Sequence, residues 1–263
     1  MNPLFLLSAA VIGMCALFAF SFVVARRVNN FGIVDIVWSY SFGVLAAFYA
    51  FFGSGWLTRK ILIATMAITW SLRLGTHLYR RVIGHHPVED GRYVQLRRDW
   101  SENFSLKMAG FFQMQAVSVV LLGAAFFIVT LNPTPQLHAF EVAGTALWFL
   151  ALIGETLADA QLAAFKRDPH SSGRVCAVGL WRYSRHPNYF FEWLIWVAFF
   201  VFALASPWGW VSAIGPLCIL YLLLRVTGIP LTEEQSLRSK GDAYRHYQKT
   251  TSAFAPWFPK HLP

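Results

Sequence analysis

Gly179 to Glu192 reads G-L-W-R-Y-S-R-H-P-N-Y-F-F-E, and an apolar run from Trp193 to Ala205 follows at once. Two arginines, a histidine, an amide, a phenol and a carboxylate therefore stand where a membrane helix begins. Asn188 and Glu192 are four apart, so a helix started by Pro187 puts them on one face with Tyr189 beside them. Proline suits that first turn, where its missing N–H costs nothing. Positive charge at a membrane boundary accounts for Arg182 and Arg185 without any site. It does not account for the carboxylate, amide and phenol, and ionisable groups inside membranes usually have a function. Arg185, His186, Asn188, Tyr189 and Glu192 are accordingly candidate ligand-binding residues.

Other apolar stretches carry polar groups with chemistry of their own. Asp35 shares a face with Trp38 in Ile33 to Tyr40. It is either a shallow acid near the membrane boundary or a buried one; burial favours its protonated form and makes it a proton donor, or a hydrogen-bond anchor for a carbonyl. Arg73, His77 and either Arg80 or Arg81 recur at helical spacing. Snorkelling to headgroups explains Arg80 and Arg81, whereas Arg73 lies deeper and needs a partner such as Asp35 or a ligand phosphate. His77 and Tyr79 are the candidate proton donors of that segment. Glu155 and Asp159 stand four apart, with Gln161 beyond and Lys166 at the end. Two such carboxylates repel unless something donates to both; a ribose or an amide-bearing ring would do so, and pairing with Arg73 or Arg174 is the structural alternative. Gln113 and Gln115 are weaker candidates. Glu233 and Glu234 follow a helix break at Gly228 and Pro230, and Thr232 with Gln235 has the spacing of a capping box. Tyr244 and Tyr247 share one side of a tail helix and are expected to fold over the pocket.

The elements that must position these groups are membrane spans. The 263 residues are 56% hydrophobic and 13% charged, and several apolar runs approach the length of about 20 residues that crosses a bilayer. The expected fold is an all-α, polytopic membrane domain occupying 1–263, with about seven spans. These fall near 4–24, 33–52, 61–79, 108–131, 140–165, 188–205 and 210–224. The first run, Pro3 to Ala25, has no basic leader and is read as a retained span. The polar segment from His85 to Lys107 is the longest connection. Lys and Arg concentrate after the first, third and fifth spans and in the tail, so the N-terminus is expected outside and the C-terminus in the cytoplasm. The formal charge of +9 lies at span ends, which points to anionic lipid or an anionic cofactor and not to nucleic acid. Cys15, Cys176 and Cys218 show no C-x-x-C spacing, so neither a metal site nor a disulfide is expected. The glycines make no phosphate-loop or dinucleotide fingerprint. A large anionic cofactor held between helices fits best, phosphates on arginines and ribose hydroxyls on acids.

The stretch G-L-W-R-Y-S-R-H-P-N-Y-F-F-E, together with G-I-P-L-T-E-E and the tail Y-x-x-Y-x-x-x-T-S-x-F-x-P-W-F-P, resembles the steroid 5-alpha-reductase-like superfamily. V-D-I-x-W near Asp35 is similar to its bacterial branch, and the resemblance runs from about Asn30 to Pro259. It implies seven helices around NADPH, hydride transfer to a carbon–carbon double bond conjugated to a ketone in a lipid-soluble substrate, and a bacterial inner-membrane location. It also implies that Asn188 and Glu192 hold the nicotinamide end, while Asp159 and Lys166 contact the adenosine half, with Glu155 where the family often has asparagine. Ser172 and Arg174 would meet phosphate, and Arg225 matches a basic residue closing the last span. Asp35 would replace the glutamate of the family's catalytic pair, with His77 or Tyr79 near its tyrosine. The family's histidine-tyrosine signature is missing from the tail, where Glu233 and Glu234 stand. R-H-P-x-Y and the E-E-x-x-L tail are also similar to isoprenylcysteine carboxyl methyltransferases, which use S-adenosylmethionine. A non-catalytic lipid-binding protein is the third expectation.

Overall fold

A computed structural model describes residues 2–260. The described residues contain helices and no strands beyond one isolated bridge between Ser184 and Ser252. The fold divides into two units. The first runs up to His138 and takes in Ala203–Ile214; the second comprises Ala139–Phe202 and the chain from Gly215 on.

The first unit contains α1 (Pro3–Val28), α2 (Ile33–Phe52), α3 (Leu57–Gly84), α4 (Gly91–Asp99), α5 (Phe104–Leu122) and α6 (Ala124–Leu131). Asn2 caps α1 by accepting from the Leu4 N–H at 2.9 Å. Asn29 closes it at φ 55°, a left-handed conformation asparagine tolerates. The α2–α3 pair is the most extensive contact between elements. Small residues bring the two backbones together: the Ser71 hydroxyl donates to the Ser39 carbonyl at 2.7 Å and accepts from the Gly43 N–H at 3.1 Å. Small interfacial residues and interhelical hydrogen bonds are how helices associate where lipid removes the hydrophobic driving force. Trp70, Phe42, Leu45, Phe112 and Phe126 fill the interior of this unit.

The second unit contains α7 (Ala139–Arg167), α8 (Pro187–Ala203, its last residue falling in the first unit), α9 (Ile214–Tyr221) and α10 (Ile229–Thr250). One-turn 3-10 segments stand at Pro169–Ser171 and Gly179–Arg182, and a π-helical turn at Leu222–Val226. Pro187 is the first residue of α8, as its chemistry predicts. Gly144 and Gly154 give α7 the smooth face on which α8 packs. A Cβ on Gly144 would lie 2.7 Å from the Phe202 nitrogen, and one on Gly154 would strike the Phe191 ring. At Gly241, φ 54° and ψ −126° interrupt α10, a conformation glycine alone adopts without strain.

Six helical stretches are long and apolar enough to cross a membrane: Pro3–Val28, Ile33–Phe52, Leu57–Gly84, Phe104–Leu131, Ala139–Arg167 and Gly209–Thr250. Many large apolar side chains on them face outward, Phe51, Leu150 and Ile153 among them. Six such stretches mark an integral membrane protein, with the lipid bilayer as its surroundings. The expected sixth span is α8, apolar but only 17 residues long. The long polar connection contains a helix, α4. One expectation from the sequence is revised. Thr232 does not cap a helix; it lies inside α10, where its hydroxyl donates back to the Gly228 carbonyl at 2.9 Å.

Candidate functional site

Each unit contains an organised polar group. In the second unit it is built on the R-Y-S-R-H-P-N-Y stretch. Arg185 donates from Nε to Glu233 Oε1 at 2.6 Å, and from Nη1 to the carbonyls of Gln248 and Thr251 at 3.0 and 2.5 Å. His186 Nε2 lies 3.3 Å from the same Glu233 oxygen, and Gln248 donates to the other at 2.9 Å. The His186 ring stacks on Tyr189, centroids 5.4 Å apart, and the Tyr189 and Thr232 hydroxyls are 3.1 Å apart. Burial opposes the Glu233 charge, but the hydrogen bonds from His186, Arg185 and Gln248 and the Arg185 charge outweigh it, holding the carboxyl at about 2. Arg185, His186, Tyr189 and Glu233 are thus joined in a clamp that fastens the start of α8 to the tail helix. Glu234 is not part of it; its carboxylate makes an exposed ion pair with Arg238 one turn on.

Next to the clamp, the Asn188 amide nitrogen donates to Asp159 Oδ1 at 3.3 Å. The Asn188 amide oxygen is buried with no hydrogen-bond partner among the described residues, an arrangement that leaves an acceptor for a ligand donor. Glu192 accepts from Trp196 Nε1 at 3.0 Å within α8, and Glu155 is buried one turn before Asp159 on α7. Spacing of four residues places Glu155 with Asp159 on one face of α7 and Asn188 with Glu192 on one face of α8.

Where α7 ends, Lys166, Ser172 and Arg174 line one cavity of about 280 Å³. Lys240, from the turn before the Gly241 break, completes it. Burial pushes the Lys240 ammonium down, and the neighbouring Lys166 charge pushes the same way. Gly173, at φ 74° with open space where a Cβ would stand, turns the loop along the cavity wall. Asp168 also lines it, but its carboxylate is engaged by the His170 N–H at 3.0 Å and the Ser171 hydroxyl at 3.1 Å. Two ammonium groups held near each other, with no carboxylate salt-bridged to either among the described residues, are an arrangement that attracts an anion by elementary electrostatics. Lys240 escapes a sequence reading; the only local signal is a lysine directly before a helix-breaking glycine. Arg225 is exposed in the π-helical turn.

In the first unit the organised group is at Asp35. Arg92 Nη2 donates to Asp35 Oδ2 at 2.7 Å, and the Tyr93 hydroxyl donates to Oδ1 at 2.8 Å. Asp90 holds Arg92 in turn at 3.2 Å, and Arg81 reaches Asp90 at 2.9 Å. Burial pushes the Tyr93 phenol well above its ordinary range, and the Asp35 charge adds to this against the Arg92 charge. The proton-bearing partner of Asp35 is therefore Tyr93, a residue of α4. His77 and Tyr79 are exposed on α3, and the Tyr79 phenol makes no hydrogen bond among the described residues; Arg73 is partly buried. The pattern E-D-G-R-Y in the long polar connection is the signal that could have pointed to Tyr93. Among the described residues no cluster of histidine, cysteine, aspartate and glutamate could hold a metal ion.

Residues 21–251 match the family described as "Protein of unknown function (DUF1295)". The chain belongs to this family. It is also 28% identical over 261 residues to an uncharacterised protein of Schizosaccharomyces pombe, covering 87% of this chain and 73% of the relative. No solved structure matches it.

Proposed function

We infer that this DUF1295 protein is a membrane-embedded reductase that uses NADPH to reduce an activated carbon–carbon double bond in a lipid-soluble substrate. The observation that carries this reading is the Lys166–Ser172–Arg174–Lys240 cavity. Its cations suit the phosphates of a dinucleotide, and S-adenosylmethionine has no phosphate to offer them. The residues present fit such a cofactor: Asn188 with its open amide oxygen, Asp159 beside it, and the lysine-lined cavity belong to one unit of the fold. The resemblance to steroid 5-alpha-reductases and the apolar surroundings support a steroid- or isoprenoid-like substrate. The reading includes seven spans, an outer N-terminus and a bacterial plasma membrane as location.

When bound, NADPH supplies the hydride. The chain's own groups bind, orient and move a proton. Lys166, Arg174 and Lys240 neutralise phosphate charge, with Ser172 adding a hydroxyl donor. Asn188 and Glu192 orient the reacting ring through hydrogen bonds. Within the first unit, Tyr93 carries the proton that this reading assigns to the acid step; its hydroxyl rests on Asp35, which Arg92 orients. His77 remains an alternative source of the proton on α3.

The deciding experiment is a fluorescence titration of the detergent-solubilised full chain with NADPH. Binding is expected, and Lys166→Gln combined with Lys240→Gln should weaken it about tenfold or more, the loss of charge-assisted contacts to phosphate. Failure of NADPH to bind, with saturable binding of S-adenosylmethionine in its place, would move the assignment to methyl transfer.

A further inference from the structure

The W-R-Y-S-R-H stretch holds two arginines with opposite fates. Arg185 is spent inside the fold, its guanidinium taken up by Glu233 and two backbone carbonyls. Arg182, three residues earlier, is exposed and makes no ion pair or side-chain hydrogen bond among the described residues. It lines a second cavity, of about 460 Å³, larger than the one at Lys166. The opposite wall is the second half of α10, from which His246 enters, also without a side-chain partner among the described residues. No aspartate or glutamate lines the cavity; the rest of its wall is apolar at Val175, Ala243 and Pro259 and carries hydroxyls at Thr250 and Thr251.

The rim of this cavity has the composition of a headgroup-level surface. The Trp257 N–H bonds to the Tyr183 carbonyl at 2.9 Å, and the Lys260 N–H to the Thr250 carbonyl at 2.8 Å. These two bonds fasten the terminal segment so that Pro259 joins the wall. Trp257 and Phe258 nevertheless stay 71% and 76% exposed. Exposed tryptophan and phenylalanine beside an unpaired arginine are what a protein presents to the bilayer interface, where rings settle among headgroups and basic groups meet phosphate.

We propose that the Arg182–His246 cavity binds a phosphate-bearing anion. Its source is either the headgroup of an anionic bilayer lipid or a free phosphate. The guanidinium grips two phosphate oxygens, the imidazole adds a third donor, and the apolar wall takes the group that the phosphate carries. This site is separate from the nucleotide reading and does not depend on it.

Native mass spectrometry of the detergent-solubilised full chain tests the proposal, with equimolar dimyristoyl phosphatidic acid and phosphatidylcholine as probes. Wild type should retain the phosphatidic acid, and Arg182→Gln with His246→Asn should lower its retention about tenfold or more. Both side chains are exposed, so the fold is not at stake. Ala243→Glu, which adds a carboxylate at the same wall and keeps both Arg182 and His246, should give the same loss. Displacement of the lipid by millimolar inorganic phosphate identifies a free-phosphate site; persistence identifies the lipid headgroup. Unchanged retention in either variant, or equal retention of the two lipids by wild type, overturns the proposal. So does displacement by NADPH, which would merge this cavity with the cofactor's site.

Discussion

Glu233 gathers donors from three side chains, and its charge helps to tie the tail to the start of α8. Its side chain and that of Arg185 are 15% and 10% exposed, so removing the negative charge leaves a largely enclosed guanidinium without its carboxylate. Glu233→Gln is expected to destabilise the protein by about 2 kcal/mol, the scale of hydrogen bonds to charged groups, and a thermal melt in detergent reads this. The pH dependence has a defined sign. The folded carboxyl sits at about 2, below its ordinary 4.5, so its contribution is fully present above 4.5 and is lost as pH falls through 2. The gap in melting temperature between wild type and Glu233→Gln should therefore be flat from pH 7 to pH 5 and shrink only below about 4.5. A gap that closes between pH 7 and pH 5 would mean that the carboxyl is not held this way.

Among the elements, the α7–α8 contact is the one that sets the acid of one helix against the amide of the other. It depends on Gly144, where an added Cβ would meet the α8 backbone at the Phe202 nitrogen and the Ala198 carbonyl, 2.7 and 2.9 Å away. Backbone cannot swing aside as a side chain would. Gly144→Ala should cost about 1–3 kcal/mol of overpacking, whereas Gly13→Ala on α1, with nothing within 4 Å, should be neutral or slightly stabilising through helix propensity. Melting temperatures of the two variants compare them directly, and equal values would contradict the close crossing. The elements also divide by how legible they are in sequence. The long apolar helices follow from their runs of hydrophobic residues. The helix α4 does not, because it is polar nearly all round and is held by ion pairs to distant partners; Asp35 and Arg92 are 57 positions apart. No local pattern encodes such a pairing, and Tyr93 stays hidden with it. The cavity at Lys166 was half legible for the same reason: Lys166, Ser172 and Arg174 are neighbours in sequence, while Lys240 arrives from the tail. Arg185, His186 and Glu233 stand out by residue type, yet only their distances reveal that they hold each other.

For the whole molecule, the open quantity is how many times the chain crosses the bilayer, and α8 decides it. Seventeen residues at 1.5 Å each span about 26 Å, slightly less than a hydrocarbon core of roughly 30 Å. If α8 crosses, the turn after it compensates: Trp208 and Trp210 are exposed at 71% and 63%, as interfacial tryptophans that anchor a short span are. The charge balance agrees. Arg59 and Lys60 are the basic residues on the sparsely charged side, and both are occupied by backbone carbonyls. Arg59 is fully buried against those of Asn132, Thr134 and Gln136, and Lys60 donates to that of Gly53 at 2.7 Å. The remaining Lys and Arg then favour an outer N-terminus and a cytoplasmic C-terminus, which requires an odd number of crossings. Alkaline phosphatase fused after Pro207 should accordingly be active, and the same enzyme fused at the C-terminus inactive, with a fluorescent protein at the C-terminus glowing in place of it. A silent fusion at Pro207 beside an active one at the C-terminus would mean that α8 lies along the membrane and that the polar face of Asn188 and Glu192 meets headgroups. In that case the nucleotide reading would lose the setting on which it depends.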